Sequence, residues 1–459
     1  MRSPLTFEPG RARLSLVVLG AALLGVALGV PVTAHATPAD LLGFGARNIA
    51  LGGAVAADVQ DGGANYYNPA GLVGSPGLRL SLSYASLSSD LHINDVNSHV
   101  ERISGLNLGI VAPAAIGSVR LAFGLAVHLP DQRINRTRSS LPSRPFWTLY
   151  DSRPHKVYLA TNLALQLVPW LNVGVGVTFQ SASTMELDIV GDINFLRTSQ
   201  TRLTHQLQGD LLSSRAFQAG AQVRPLDWLS IGVTWRGALA LRDQLTARVE
   251  GGLTGLGPAF PVSFELVSRS VGAYIPQQLV VGVAARPIEA LRVSLDVSWV
   301  DWSKHPSLIS TEELLLNVEL PPGIMLDIPS MIGGTTPVPM NLRDIVVPRV
   351  GVEWDAHRTD AFVLHTRAGY VFERSPFPAQ RGRTNFVDSN RHSLALGVGA
   401  TFVSPGRRFP GDLNVDAYFL YAQVSERAHE KLSLVDPVGD YTAGGRQYGF
   451  GLQVELAFH

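Results

Sequence analysis

The sequence predicts an all-β fold: a transmembrane antiparallel β-barrel of about 14 strands with an N-terminal hatch, or plug, in its lumen. Three observations carry this. Segment after segment alternates apolar with small or polar side chains at period two. The connections alternate between short turns containing Pro, Trp or Asp and long polar loops, as in outer-membrane barrels. Only 16% of the residues are charged, against roughly 25% in an ordinary soluble domain.

In chain order, residues 1–36 read as an export signal. Arg2, Arg11 and Arg13 precede an unbroken apolar run from Leu14 to Val30, and Ala34-His35-Ala36 gives a small-x-small cleavage pattern, placing the cut after Ala36. The formal charge is zero, with 37 basic and 37 acidic residues; removing three arginines and Glu8 leaves 34 against 36. Apolar runs beyond Val30 are soon interrupted by Arg, Asp, Gln or Pro, so an exported chain of this composition is periplasmic, secreted or a barrel.

Residues 37–76 are rich in Gly and small side chains and contain no long amphipathic strand. Such residues allow close backbone approach, which a plug packed inside a barrel requires.

Residues 77–459 carry the strand pattern. The expected strands are 77–90, 102–112, 119–129, 156–167, 171–190, 207–223, 229–245, 274–286, 291–303, 345–354, 361–373, 391–403, 413–426 and 447–458. The even count suits a bacterial barrel, and closure leaves no open sheet edge. Long loops are expected at 91–101, 130–155, 191–206, 246–273, 304–344, 374–390 and 427–446. Trp170 and Trp228 fall at short turns and mark the periplasmic rim; Trp147, Tyr150, Trp235, Trp299, Trp302 and Trp354 also sit near strand ends, where interface girdles form.

Several functions are disfavoured. No Cys is present, so disulfides, a cysteine nucleophile and cysteine-ligated metals are excluded. Neutral charge argues against a nucleic-acid partner. The sequence holds no H-E-x-x-H, G-x-S-x-G or phosphate loop, and no histidines at metal spacing, so no enzyme, cofactor or metal is expected. Asp58 and Asp61-Gly62-Gly63 faintly suggest a calcium loop but lack its later ligands. Arg133, Arg136, Arg138, Arg144 and Arg153 make the 130–155 loop basic beside Phe146 and Trp147, which suits carboxylates, lipopolysaccharide phosphates or a solvated loop.

Residues 42–54 read LGFGARNIALGGA, and Asn68-Pro69-Ala70 lies in YYNPAGL. With Asp296–Lys304, DVSWVDWSK, and Arg367-Ala368-Gly369-Tyr370 ahead of Ser375-Pro376, the chain resembles the FadL/TodX (OmpP1) family of outer-membrane transporters for long-chain fatty acids and other hydrophobic compounds. The resemblance implies a barrel in the cell outer membrane. A hydrophobic molecule is caught between the outer loops, passes to a lumenal pocket near the mature N-terminus, and leaves sideways through the wall. It further implies Leu41, Leu42 and Phe44 as apolar ligand contacts in a mobile Thr37–Phe44 segment, and Asn68, Pro69 and Ala70 as a hatch element. Asn-Pro is equally a turn signal. The family's wall opening lies at the third strand, where Gly124 is the candidate. Expected partners are a hydrophobic small molecule such as a long-chain fatty acid and the lipid and lipopolysaccharide of the membrane; the chain is expected to be a monomer. Competing readings are a related barrel that binds a protein partner in secretion or assembly, a hydrophilic porin, and an outer-membrane lipase. One departure from the usual aromatic C-terminus is His459 after Phe458.

Overall fold

Fourteen of the alternating segments close on one another in sequence order. In the computed structural model, which describes residues 41–134, 143–150, 156–194, 196–254, 260–307, 310–318, 331–334, 340–404, 410–433 and 436–458, they are β1 (Arg79–Ile93), β2 (Ile103–Ile116), β3 (Val119–Pro130), β4 (Tyr158–Val168), β5 (Leu171–Asn194), β6 (Arg202–Leu226) and β7 (Leu229–Arg236). The circuit continues with β8 (Gln278–Ile288), β9 (Leu291–Val300), β10 (Ile345–Arg358), β11 (Phe362–Glu373), β12 (Arg391–Phe402), β13 (Gly411–His429) and β14 (Tyr441–Phe458). Each barrel strand pairs antiparallel with the next, and β14 closes on β1 from Arg79 opposite Ala457 to Ile93 opposite Ala443. The expected signal at 1–36 and residues 37–40 lie outside the described residues.

The alternation sets the two faces. Leu82, Phe123, Leu163, Phe419, Phe450 and Leu452 point outward and are exposed, Leu452 at 62%. So broad an apolar surface requires lipid. Their neighbours Ser83, Asn107, Asn162, Gln218 and Gln453 point inward and are buried. Trp170 and Trp228 stand more than half exposed beside the short turns. Trp147, Tyr150 and Trp302 do not join a girdle; they are buried in a loop cluster at the opposite end.

The expected strand 229–245 breaks at Gly237-Ala238, so β7 ends at Arg236. Several expected loops contain strand, the longest runs lying in three of them. β5 and β6 run on as a hairpin as far as Asp192 opposite Arg202; Leu239–Thr254 pairs with Phe260–Ile275; Thr311–Val318 adds to the latter. The outer run of β6 includes Thr204, Gln206, Gln208 and Asp210, all exposed. With water on both faces, no apolar alternation is needed to form the ladder.

Residues 41–76 run across the inward faces of strands around the whole circuit. Wall glycines make room for them. A Cβ on Gly220 would meet the Asn68 amide, and one on Gly369 would meet the Gly52 and Leu51 backbone. Gly124, Gly174, Gly232, Gly351 and Gly397 are contacted in the same way.

Candidate functional site

The N-terminal segment folds as two short helices, α1 (Ala46–Ala50) and α2 (Ala64–Tyr67), followed by a 3-10 turn, Pro69–Gly74. Gly45, at φ 85°, supplies the backbone turn into α1. Asn68 caps the 3-10 turn, its Oδ1 accepting from Ala70 N–H at 3.1 Å, while its Nδ2 donates to Ala56 O at 2.7 Å and Ala221 O at 3.1 Å. Asn65 ties four strands together. Its Nδ2 donates to Ile110 O and Leu125 O, each at 3.2 Å; its Oδ1 accepts from Asn162 Nδ2 at 2.9 Å, and its carbonyl from Gln218 Nε2 at 2.7 Å.

Charged contacts hold the side facing the short turns. Arg47 makes a two-pronged pair with Glu353, 2.9 Å on each prong, and Glu353 also pairs with Arg367 at 2.6 Å. Arg292 pairs with Asp58. Burial opposes charge at both sites, yet Glu353 keeps the Arg47 pKa above its ordinary value and Arg292 keeps that of Asp58 below. Asp61, weighed as a calcium ligand, instead accepts from Gly63 N–H at 2.8 Å and Asn48 Nδ2 at 2.9 Å. Among the described residues no group of His, Asp or Glu is placed to hold a metal.

The lumen differs on the two sides of this segment. Toward the short turns lies a cavity of about 480 Å³ lined by Arg79, Arg224, Arg286, Arg367, Asp416 and Glu455, among other polar groups. Toward the long loops the spaces are small and more apolar. One, about 100 Å³, is lined by Leu41, Leu42, Ile49, Leu87, Val280 and Leu420, with Arg236, Arg349, Arg391, Asp296 and Glu373 as its charged groups. A second, about 50 Å³, is lined by Leu149, Tyr150, Val300 and Trp302 and shares Leu41, Arg349, Glu373 and Arg391 with the first.

Above these cavities an apolar cluster closes the outer mouth. Trp147, Tyr150, Tyr274, Trp302, Phe377 and Phe386 are buried together, and Leu41 packs against them from below. Phe146-Trp147 pairs in parallel with Phe386-Val387. Within the cluster's polar border, burial pushes the Asp388 carboxyl up to about 7, although Ser375 Oγ donates to it at 2.6 Å.

Leu41 and Leu42 therefore share one cavity wall, whereas Phe44 is buried among Leu51, Val55 and Tyr67 in the core of the segment. Asn68, Pro69 and Ala70 lie against Gly220 of β6 and Gly174 of β5. At Gly124 the β3 ladder runs without a register shift to both neighbours, and a Cβ there would meet Asn65 and Leu72. Arg136, Arg138 and Arg153 fall outside the described residues. Reading the sequence missed Asn65, Asn162, Gln218, Arg236 and Asp296. The four on strands carried one signal, a polar side chain on the inward face of an otherwise apolar alternation; Asn65, in α2, carried none.

A closed fourteen-stranded barrel with an apolar belt, short turns at one end and an apolar loop cluster at the other is the architecture of an outer-membrane transport protein. Residues 34–458 match the family model for outer membrane protein transport proteins (OMPP1/FadL/TodX), and the chain belongs to that family. Its place is the outer membrane. No curated protein sequence matches it significantly. Similar solved structures include a Pseudomonas aeruginosa FadL homologue, 16% identical over 94% of this chain and 99% of that one, TM-score 0.52. The P. putida toluene transporter TodX is 15% identical over 92% and 100%, TM-score 0.51. The monoaromatic hydrocarbon channel CymD is 14% identical over 90% and 97%, TM-score 0.52. At these identities the likeness concerns the fold.

Proposed function

We propose that this chain takes up hydrophobic small molecules across the outer membrane, catching them under the long loops and releasing them sideways, with residues 37–76 acting as a hatch. The carrying observation is the contrast between the two halves of the lumen. The cavities that share Leu41, about 100 and 50 Å³, offer apolar walls to an alkyl chain or an aromatic ring; each is smaller than the roughly 150 Å³ that holds benzene, so entry displaces the leucine side chains. The route onward to the periplasm is a charged cavity. Moving a dozen methylenes from an apolar site into such surroundings costs about 10 kcal/mol. Lipid is the cheaper destination.

The substrate class includes toluene-like rings, as the names of two similar proteins suggest, and long-chain fatty acids. For the latter, Arg236, Arg349 and Arg391 outnumber Glu373 and Asp296 around the cavity and offer partners to a carboxylate. Gly124 is one position for the wall opening.

The test is uptake of radiolabelled hexadecanoic acid and toluene by cells with and without the gene. Uptake that depends on the chain supports the reading. Equal uptake, together with a protein partner that co-purifies in place of apolar ligand, sinks it in favour of a secretion or assembly role.

A further inference from the structure

Sideways release needs a place where the wall can part, and one seam is built differently from the rest. β7 is the shortest strand of the circuit. Its register ends with Arg236 opposite Gln218 of β6 and Gln278 of β8. One step further, Gly237 N–H donates to Phe217 O at 2.8 Å. The chain then turns into the lumen. Leu239 and Leu241 pack on Ala182 and Ala216, and Gln244 pairs with Thr184 on the edge of β5 away from β6. In the registers of the described residues, the outer run of β6 is therefore paired with β5 alone.

Behind this seam lies a small cavity lined by Tyr66, Ala216, Phe217, Arg236, Leu239 and Ile275. It shares Tyr66 and Arg236 with the cavity at Leu41 and Leu42. The same residues tie β7 to the hatch and to β8. Arg236 Nη1 donates to Tyr66 O at 3.0 Å, Nη2 donates to Gln278 Oε1 at 2.7 Å, and the guanidinium lies 4.7 Å from the Tyr66 ring centroid. Thr234 Oγ1 donates to Tyr67 O at 2.9 Å, and Asn68 braces β6 through Ala221 O. Residues 66–68 are thus stitched to β6 and β7 from inside. Outside, Trp235 and Trp299 flank Leu279 at this height, an interfacial pair that sets the seam beside the outer leaflet.

We propose that the side exit of this chain is the β6–β7 seam, parting between Phe217 and Gly237, with Arg236 as the clasp that links its opening to the hatch. It passes an alkyl chain or a single aromatic ring into the outer leaflet. The proposal rests on the transport reading above and assigns the exit to a position other than Gly124.

The chain has no Cys, so paired cysteines can staple either position. Ala219→Cys/Trp235→Cys, the last outward pair in the observed register, places two cysteines beside the opening with Cα atoms about 5.5 Å apart, within disulfide range. Phe123→Cys/Leu163→Cys staples β3 to β4, where those residues are opposite. Uptake of radiolabelled hexadecanoic acid is measured oxidised and reduced, with the SDS resistance of the folded barrel confirming assembly. The expected result is loss of uptake to the gene-deleted level in the oxidised seam pair, recovery on reduction, and no loss in the β3–β4 pair. Loss in the β3–β4 pair alone, or in neither while the native chain transports, overturns the seam and leaves the transport reading standing. No uptake by the native chain overturns both. Independently, a diazirine-bearing hexadecanoic acid should label residues 216–239; label confined to 121–129 and 158–165 would refute the assignment.

Discussion

Replacing Asn68 with alanine should loosen residues 54–74 and leave the barrel closed. Asn68 is wholly buried, outside every barrel ladder, and makes hydrogen bonds at 2.7 Å to Ala56 O and 3.1 Å to both Ala221 O and Ala70 N–H. A net hydrogen bond is worth about 1 kcal/mol. Ala56 O keeps Gln222 Nε2 at 3.3 Å, so the three losses together come to about 2–3 kcal/mol. At 1.4 kcal/mol per factor of ten, the displaced state becomes roughly 30- to 140-fold more populated. Hydrogen exchange should show amides 54–74 losing protection while β6 and β7 below Ala221 and Val233 keep theirs. Planar-bilayer recordings should show more frequent openings. Gly220→Ala, which places a Cβ where the Asn68 amide sits, should act in the same direction. Unchanged exchange and conductance in Asn68→Ala would refute the view that this residue pins the segment. Equal loss of protection in β6 would show that Asn68 stabilises the wall instead.

Glu353→Gln leaves Arg47 and Arg367 without their shared carboxylate. The cost should fall near the lower end of the ~3–5 kcal/mol of a broken buried pair, because the adjoining polar cavity admits screening, and it should register as faster exchange in α1. Leu42→Asp puts a carboxylate on the apolar wall of the outer cavity and should abolish binding of toluene and hexadecanoic acid, read by native mass spectrometry of the detergent-solubilised protein; retained binding would place the ligand elsewhere. The Asp388 carboxyl, raised from 3.8 to about 7, makes the folded outer cluster bind more protons than its unfolded form between those values. Its contribution is therefore greatest below pH 4, declines by up to about 1.4 kcal/mol per pH unit toward 7, and is flat above. Exchange of amides 375–390 across pH 4–8 should follow that course, and Asp388→Asn should remove the slope.

The strands are legible in the sequence because lipid imposes a rule on every second residue. From Tyr448 to Phe458 the alternation has no exception, and Phe450, Leu452, Val454 and Leu456 share the outward face. The packing of residues 41–76 is legible in part, since a run of small residues signals close approach, though not which strand each one meets. Asn65 shows why. Its four strand contacts join residues far apart in the chain, and nothing local to YYNPAGL distinguishes it from an ordinary turn residue. The outer β5–β6 hairpin is hidden for the opposite reason. Where water lies on both sides, composition no longer follows the pleat, and Arg202–Gln206 reads as a loop although it pairs residue by residue with Asp192–Asp188.

The two faces of the hatch differ in what can replace their contacts. On the side of the short turns, Arg47, Glu353, Asp58 and Arg292 border or approach a polar cavity, and water entering it can take over hydrogen bonds lost as the segment shifts. On the other side, Leu41 and Leu42 meet apolar neighbours, and water is a poor substitute there. A hydrophobic ligand is a good one. It can occupy the cavity in place of the leucine side chains and so offset their displacement at the face that water cannot relieve. On the proposed reading, ligand arrival therefore lowers the cost of moving the hatch on its outer side, while the ionic side yields to solvent. Arg236 and Tyr66 border the same outer cavity as Leu41 and Leu42, so a shift begun at those leucines can reach the β6–β7 seam through them.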